Sequence, residues 1–290
     1  CRSASQCGRR PRPTPVIVFS DCFARDFLKA SNKDMKKILI LGGTGFVGRH
    51  LCEKLTQLQW RVTVPTRQIA SARDIQMLPS LDVVETSVHD EAALTQLVAG
   101  HDAVVNLIAI LHGNQQAFDK AHVELPQKLA RACVAAGVQR VIHISALGAD
   151  ARNPDGAPSM YLRSKGHGEV ALHQAQLALT LFRPSVMFGA EDKFLNVFAG
   201  LQKMFPVIPL AGSQALFQPV WVEDVARAIV HCLQDAHAHA SIGQTFEACG
   251  PEVFTLRQLV ELAGRLSGVN GGRGRPVIPL PAALGRLQAR

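Results

Sequence analysis

The seven residues Gly42-Gly43-Thr44-Gly45-Phe46-Val47-Gly48 constrain this chain more than any other segment. They follow the apolar run 37–41. They precede a stretch, 45–58, in which Val47, Leu51, Leu55 and Leu58 recur at helical spacing. Glycine at the first position of a GxxGxxG spacing permits a tight turn. At the second it lets backbone approach a pyrophosphate, and at the third it lets a helix pack on a strand. The free N–H groups and the dipole at the start of that helix favour an anion. Between a strand and a helix, the spacing predicts a dinucleotide-phosphate turn made by Gly42, Thr44, Gly45, Phe46, Val47 and Gly48.

Downstream, short apolar runs alternate with amphipathic stretches. Strands are expected at 37–41, 62–64, 81–85, 103–108, 141–145 and 178–182, and helices at 45–58, 91–98, 125–136 and 161–174. Gly137 ends the third helix. Such alternation argues for a parallel sheet with helices on both faces. The near-continuous apolar strands agree, since parallel strands are buried on both sides. The fold class is α/β, a Rossmann-type doubly wound parallel sheet with a small mixed C-terminal lobe. After Gly189 the rhythm changes to a helix at 194–204 and a stretch, 205–216, broken by Pro206, Pro209 and Gly212. A strand at 217–222, a helix at 225–233, a strand at 245–249 and a helix at 256–266 capped by Thr255 follow. The domains are therefore read as 1–34, a leader outside the fold; 35–189, the dinucleotide-binding domain; and 190–290, a smaller lobe whose last helical stretch, after Pro279-Leu280-Pro281, looks cut.

Composition removes other classes. With 47% hydrophobic and 19% charged residues in 290, the chain can build a large core, which excludes disorder for most of its length. Half of the net charge of +8 comes from residues 1–34, with seven basic side chains against three acidic. The remainder is mildly basic without interleaved aromatics, so no nucleic-acid binding is expected. The most apolar run, 103–111, contains Asn106 and falls short of the roughly 20 residues of a membrane span. Seven cysteines without a CxxC pair point to reduced thiols rather than to zinc or disulfides, and neither HExxH nor a two-histidine metal spacing with a carboxylate partner occurs. Residues 1–34 fit an upstream leader or a transit peptide. Their three aspartates, their lack of Met, and Met35 at the head of the first strand favour the leader.

The end of the second strand decides between dinucleotides. Ribose hydroxyls are usually held by an acid about 20 residues after the turn. Residues 61–68 contain no acid there and carry Arg67, a good phosphate partner, so NADP(H) is favoured over NAD(H). Tyr161, the single tyrosine, heads Tyr161-Leu162-Arg163-Ser164-Lys165. At i and i+4 both side chains share a helix face, where the lysine charge is expected to lower the phenol's pKa and make it a usable acid or base.

The glycine turn and the YxxxK motif together resemble the short-chain dehydrogenase/reductase superfamily, extended type. Arg183-Pro184-Ser185-Val186-Met187-Phe188-Gly189 resembles the segment that closes the nicotinamide pocket there. Gln218-Pro219-Val220-Trp221-Val222-Glu223-Asp224-Val225-Ala226 resembles a later strand-to-helix signature. His143-Ile144-Ser145, Tyr161-Leu162-Arg163-Ser164-Lys165, Glu191-Asp192-Lys193-Phe194-Leu195-Asn196 and Gln218-Pro219-Val220 together are similar to an atypical branch. That branch contains the NAD(P)H-binding accessory subunit of respiratory complex I and its bacterial relatives. The resemblance implies catalytic roles for Tyr161, Lys165 and Ser145. It also implies cofactor contacts from Ser87 and Val88, from the wall Leu107-Ile108-Ala109, and from Pro184 and Val186, beside Tyr161 and Lys165.

The sequence departs from the family where a catalytic hydroxyl is expected. That position falls on Ala146 or Leu147. Ser145 is read either as a catalytic donor or as a hydroxyl satisfied by backbone, and Asn106 either as part of the cofactor wall or as a core amide. Losing one positioned donor costs around 10²–10³ in rate. The expectation is a dinucleotide-binding protein with a structural or redox-sensing role on a respiratory or quinone-linked complex. The alternatives are an active reductase or sugar-nucleotide epimerase/dehydratase, and a scaffold with a dead nucleotide site. The location follows from the N-terminus: cytoplasmic or peripheral at the inner membrane in a bacterium, on the mitochondrial matrix side if 1–34 is a transit peptide.

Overall fold

The computed structural model describes residues 16–18 and 35–280. Its centre is a parallel sheet of eight strands among the described residues: β1 (Val16–Val18), β2 (Lys37–Leu41), β3 (Arg61–Thr66), β4 (Leu81–Glu85), β5 (Ala103–Asn106), β6 (Arg140–Ile144), β7 (Ala178–Pro184) and β12 (Thr245–Cys249). The spatial order is β1-β12-β7-β6-β5-β2-β3-β4. Alternate residues of each strand enter opposite cores. Ile38, Ile40, Val62, Val64, Val105 and Ile142 pack on one face, whereas Leu39, Leu41, Val104, Val141, Leu179 and Leu181 pack on the other. This double burial explains why β2 reads as continuous apolar sequence.

Helices α1 (Phe46–Gln57) and α7 (Val222–Leu233) cover the first face. The second is covered by α2 (Glu91–Val98), α4 (Leu125–Ala136) and α5 (Met160–Gln174). A short helix, α3 (Gln115–Asp119), runs through a π-turn (Lys120–Glu124) into α4. Asp90 caps α2, and Gly137, in the left-handed region at φ 73°, ends α4. The small lobe holds α6 (Leu195–Met204), α9 (Leu256–Leu266) and α10 (Val269–Gly272), whereas α8 (Asp235–Ser241) follows α7 against the main sheet, where the Ser241 carbonyl accepts from Thr180 Oγ1. Three strand pairs accompany them: β8 (Met187–Phe188) with β11 (Val220–Trp221), β9 (Ile208–Leu210) with β14 (Val277–Pro279), and β10 (Leu216–Phe217) with β13 (Phe254–Thr255). Thr255 and Gln258 form a capping box on α9.

Several expectations are corrected. Residues 225–233 and 245–249 belong to the main layered unit: α7 packs on α1, and β12 pairs in parallel with β7. Val16–Val18, inside the segment read as a leader outside the fold, adds a strand to β12 with Val16 opposite Glu247. Its β-branched Val-Ile-Val sequence suits that role. The rest of that segment, and residues 281–290, lie outside the described residues. The strand expected at 217–222 is two strands with different partners, interrupted at Pro219, which lacks a ladder donor. The strand expected to reach Ile108 ends at Asn106, whose Oδ1 accepts from the Ile108 N–H and turns the chain.

Candidate functional site

The strand order reverses between β2 and β5, and open α/β sheets bind ligands at such a crevice. The glycine turn lies there. Gly42 takes φ 84° and accepts from the Gly45 N–H at 3.0 Å; a Cβ on it would press Ile108 at 3.2 Å. At Gly48 a Cβ would lie 2.4 Å from the Gly42 carbonyl oxygen, so α1 seats on the turn only through glycine. Gly45 is exposed and caps α1, which has no side-chain cap and no acid in its first turn. The orphan N–H groups there form the positive end of the helix dipole, and no side chain caps them. Phe46 reaches across to Gly189, whose Cβ would meet its ring at 3.1 Å and Val222 at 2.8 Å. The segment carrying Pro184 and Val186 is thereby drawn against the turn, with the Val186 carbonyl accepting from Val220.

Arg67 stands exposed just beyond β3, and among the described residues no carboxylate pairs with it. Across the strand ends lies the Ser87-Val88-His89 loop, with Ser87 exposed and Val88 packed on the core. Its His89 is held below the ordinary histidine value by partial burial and then by the charges of Lys120, Lys128 and Arg67. Basic side chains thus gather at this end of the crevice.

The opposite end is largely buried and rich in polar side chains. Tyr161 and Lys165 sit on α5, whose N-cap Ser159 accepts from the Leu162 N–H at 3.1 Å. Lys165 is 1% exposed and donates to the Ile144 carbonyl at 3.0 Å. Burial pulls its pKa down to about 8, against the attraction of Glu169. Burial likewise pushes the Tyr161 phenol up to about 12. This corrects the expectation of a lysine-lowered phenol: desolvation governs it, because the ammonium is turned to a backbone carbonyl. Ser145 is buried and its Oγ has no partner, which removes the backbone-satisfied reading. Ala146 is buried and Leu147 exposed, and neither side chain offers a donor.

Sequence reading missed the polar layer between the sheet and α5. Asn106 is a satisfied core amide: its Oδ1 accepts from Ile108 and its Nδ2 donates to His143 Nδ1 at 3.1 Å. The His143 proton is therefore on Nε2, which has no partner, and burial holds this ring neutral, with its pKa well below 6.5. Glu169, fully buried, pairs bidentately with Arg183 at 2.9 and 2.6 Å and ties α5 to β7. On the other face Glu223 engages Lys54 and His50 of α1. Single residues inside helical or strand patterns carry no signal for such pairings. Among the described residues no cluster could hold a metal ion, four free cysteines are buried, and no helix is long and apolar enough to cross a membrane.

Comparison with known proteins gives this arrangement a setting. The profile of the NAD dependent epimerase/dehydratase family matches residues 38–247. NADH dehydrogenase [ubiquinone] 1 alpha subcomplex subunit 9, mitochondrial, from Arabidopsis thaliana is 35% identical over 230 residues, covering 77% of this chain and 56% of that protein. The same-named protein of Mus musculus is 32% identical over 252 residues, 84% and 63% respectively. The chain thus spans less than two thirds of the length of either relative. Among solved structures, a dTDP-glucose 4,6-dehydratase from Streptomyces venezuelae with NAD bound has a TM-score of 0.71 at 22% identity, over 84% of both chains. That likeness shows the fold.

Proposed function

Because the chain belongs to the NAD dependent epimerase/dehydratase family, we propose that it seats a nicotinamide dinucleotide, NADP(H) before NAD(H), in a structural or redox-sensing role on a respiratory or quinone-linked protein complex. The carrying observation is the turn: Gly48 brings α1 onto Gly42 with no cap and no acid at the helix start. The residues fit the cofactor. The turn's N–H groups suit the pyrophosphate, unpaired Arg67 suits a ribose phosphate, and buried Lys165 suits the ribose hydroxyls beside the nicotinamide. The complex I subunits among the relatives support the assembly and a mitochondrial setting. Binding is tested by titrating the chain with NADPH and NADH, following nucleotide fluorescence. Arg67→Ala is expected to weaken NADPH about 10- to 100-fold, since hydrogen bonds to charged groups are worth about 1.5–3 kcal/mol. It should leave NADH unchanged. Equal losses for both nucleotides would contradict the phosphate assignment.

A second reading, a reductase or epimerase/dehydratase, is favoured by Tyr161 and Lys165 sharing one face of α5. There Tyr161 would pass its phenolic proton to a substrate oxygen while Lys165 held the ribose. The dinucleotide supplies hydride chemistry when bound. NADPH oxidation with a carbonyl substrate, lost in Tyr161→Phe, would establish this reading.

A further inference from the structure

The loop after β5 and the helix turn bearing Tyr161 are joined through one side chain. His122 lies in the π-turn Lys120–Glu124, 1% exposed. Its Nε2 accepts from the Ile110 N–H at 3.0 Å, so the proton is on Nδ1, which donates to Ser164 Oγ at 2.9 Å. Ser164 Oγ in turn donates to the Tyr161 carbonyl at 2.8 Å. The His122 ring stands edge-on to the Tyr161 ring at 5.5 Å, and Phe118 lies 6.1 Å from the same phenol. The backbone is shaped for this contact. At Gly168 a Cβ would lie 2.1 Å from the His122 carbonyl oxygen, so α5 presses on the π-turn only through glycine. π-turns within helices are frequent at functional sites because the extra residue redirects a side chain.

We infer that His122 is a positioning residue that locks the wall 107–110 to the tyrosine-bearing turn of α5, so that the two sides of the nicotinamide end move as one body. The inference rests on the proposed dinucleotide reading for its consequence, not for its geometry. Of the titratable groups near His122 on the elements packed against it, Lys165 acts on its charge, the Tyr161 ring stands edge-on to it, and His143 is itself influenced by it. Burial and then Lys165 hold the ring neutral, with its pKa pulled down to about 3, so the donor–acceptor order persists across physiological pH.

The test uses His122→Gln, His122→Asn and His122→Phe in the full chain. Gln places an amide oxygen where Nε2 accepts from Ile110. Asn reaches only as far as Nδ1, and Phe keeps the ring volume without either bond. Two readouts are taken: amide hydrogen exchange of the peptide containing Ile110, without nucleotide, and NADPH affinity. Wild type and His122→Gln are expected to protect Ile110 and to bind within about threefold of each other. Asn and Phe should exchange faster and bind about tenfold more weakly, as one lost hydrogen bond implies. Phe behaving like wild type, or Gln as poor as Asn, would overturn the inference in favour of simple packing. If the exchange pattern holds but wild type binds no nucleotide, the dinucleotide reading fails and the mechanical tie stands.

Discussion

The two ends of the crevice between β2 and β5 solve different problems. At the turn, the available groups are backbone N–H groups, arranged by glycines that close packing and the left-handed φ of Gly42 require, and they lie open. At the tyrosine end, the groups are side chains sunk into the protein: Lys165 at 1% exposure, Ser145 with an unpartnered hydroxyl, and a phenol pushed up to about 12. The first end leaves its N–H groups uncapped but open to solvent. The second is costly in the nucleotide-free chain, since buried charge and unpaired polar atoms oppose folding. The contrast teaches that, in the proposed reading, a phosphate would be held by backbone at an open helix start, while the tyrosine end depends on what a bound group would satisfy.

The comparison is broken most severely at the turn. In Gly48→Val, a side chain would be driven into the Gly42 carbonyl, and nucleotide affinity is expected to fall by more than about 100-fold. Binding within tenfold of wild type, measured by fluorescence titration, would show that the turn is not the phosphate seat. At the other end, Lys165→Met separates function from stability. It should weaken nucleotide binding about tenfold while raising the melting temperature of the nucleotide-free chain, at ~2–4 °C for each kcal/mol recovered from the buried charge. A lowered melting temperature would mean that the lysine is satisfied without the cofactor.

A smaller effect is spectroscopic. Tyr161 is the only tyrosine, so the near-ultraviolet tyrosinate band reports it alone. Its midpoint should lie near 12, above the ordinary 10.0, and stay there in Lys165→Met. Because the folded value is raised, this phenol's contribution to stability is whole below pH 10 and is lost as pH rises toward about 12. A midpoint near 10 would restore the expectation of an activated phenol. The smallest effect belongs to Ser145→Ala. Removing a hydroxyl without a partner should leave stability unchanged or raise it by up to about 1 kcal/mol, read by denaturant unfolding. A loss above that would reveal a bond to Ser145 that the structure does not contain.

Most of the sheet was legible because its signals are local and periodic. The segments 37–41, 81–85, 91–98 and 125–136 fold within the bounds that apolar spacing and Gly137 set. The glycine turn was legible because close packing leaves glycine few substitutes. The assignment of β12 and α7 to the large unit was not, since nothing in a strand's own sequence says which sheet it joins. Nor was the π-turn at His122, where one extra residue in a helical run changes which side chain points inward without altering composition. The lysine-lowered phenol that the spacing predicts is not found, for a related reason. The i, i+4 spacing fixes a shared face, but whether Lys165 faces the phenol or the Ile144 carbonyl is decided by tertiary structure.

Calorimetric titration of the wild-type chain with NADPH, at about pH 7 and again at about pH 9, addresses both ends at once. Lys165 titrates near 8 when free, and a ligand that uses its ammonium holds the proton on. Binding should therefore be present at both values and roughly tenfold weaker at the higher one, with proton uptake. Absence of binding at the lower value would contradict the seat at the turn, and equal affinity at both would contradict the role given to Lys165.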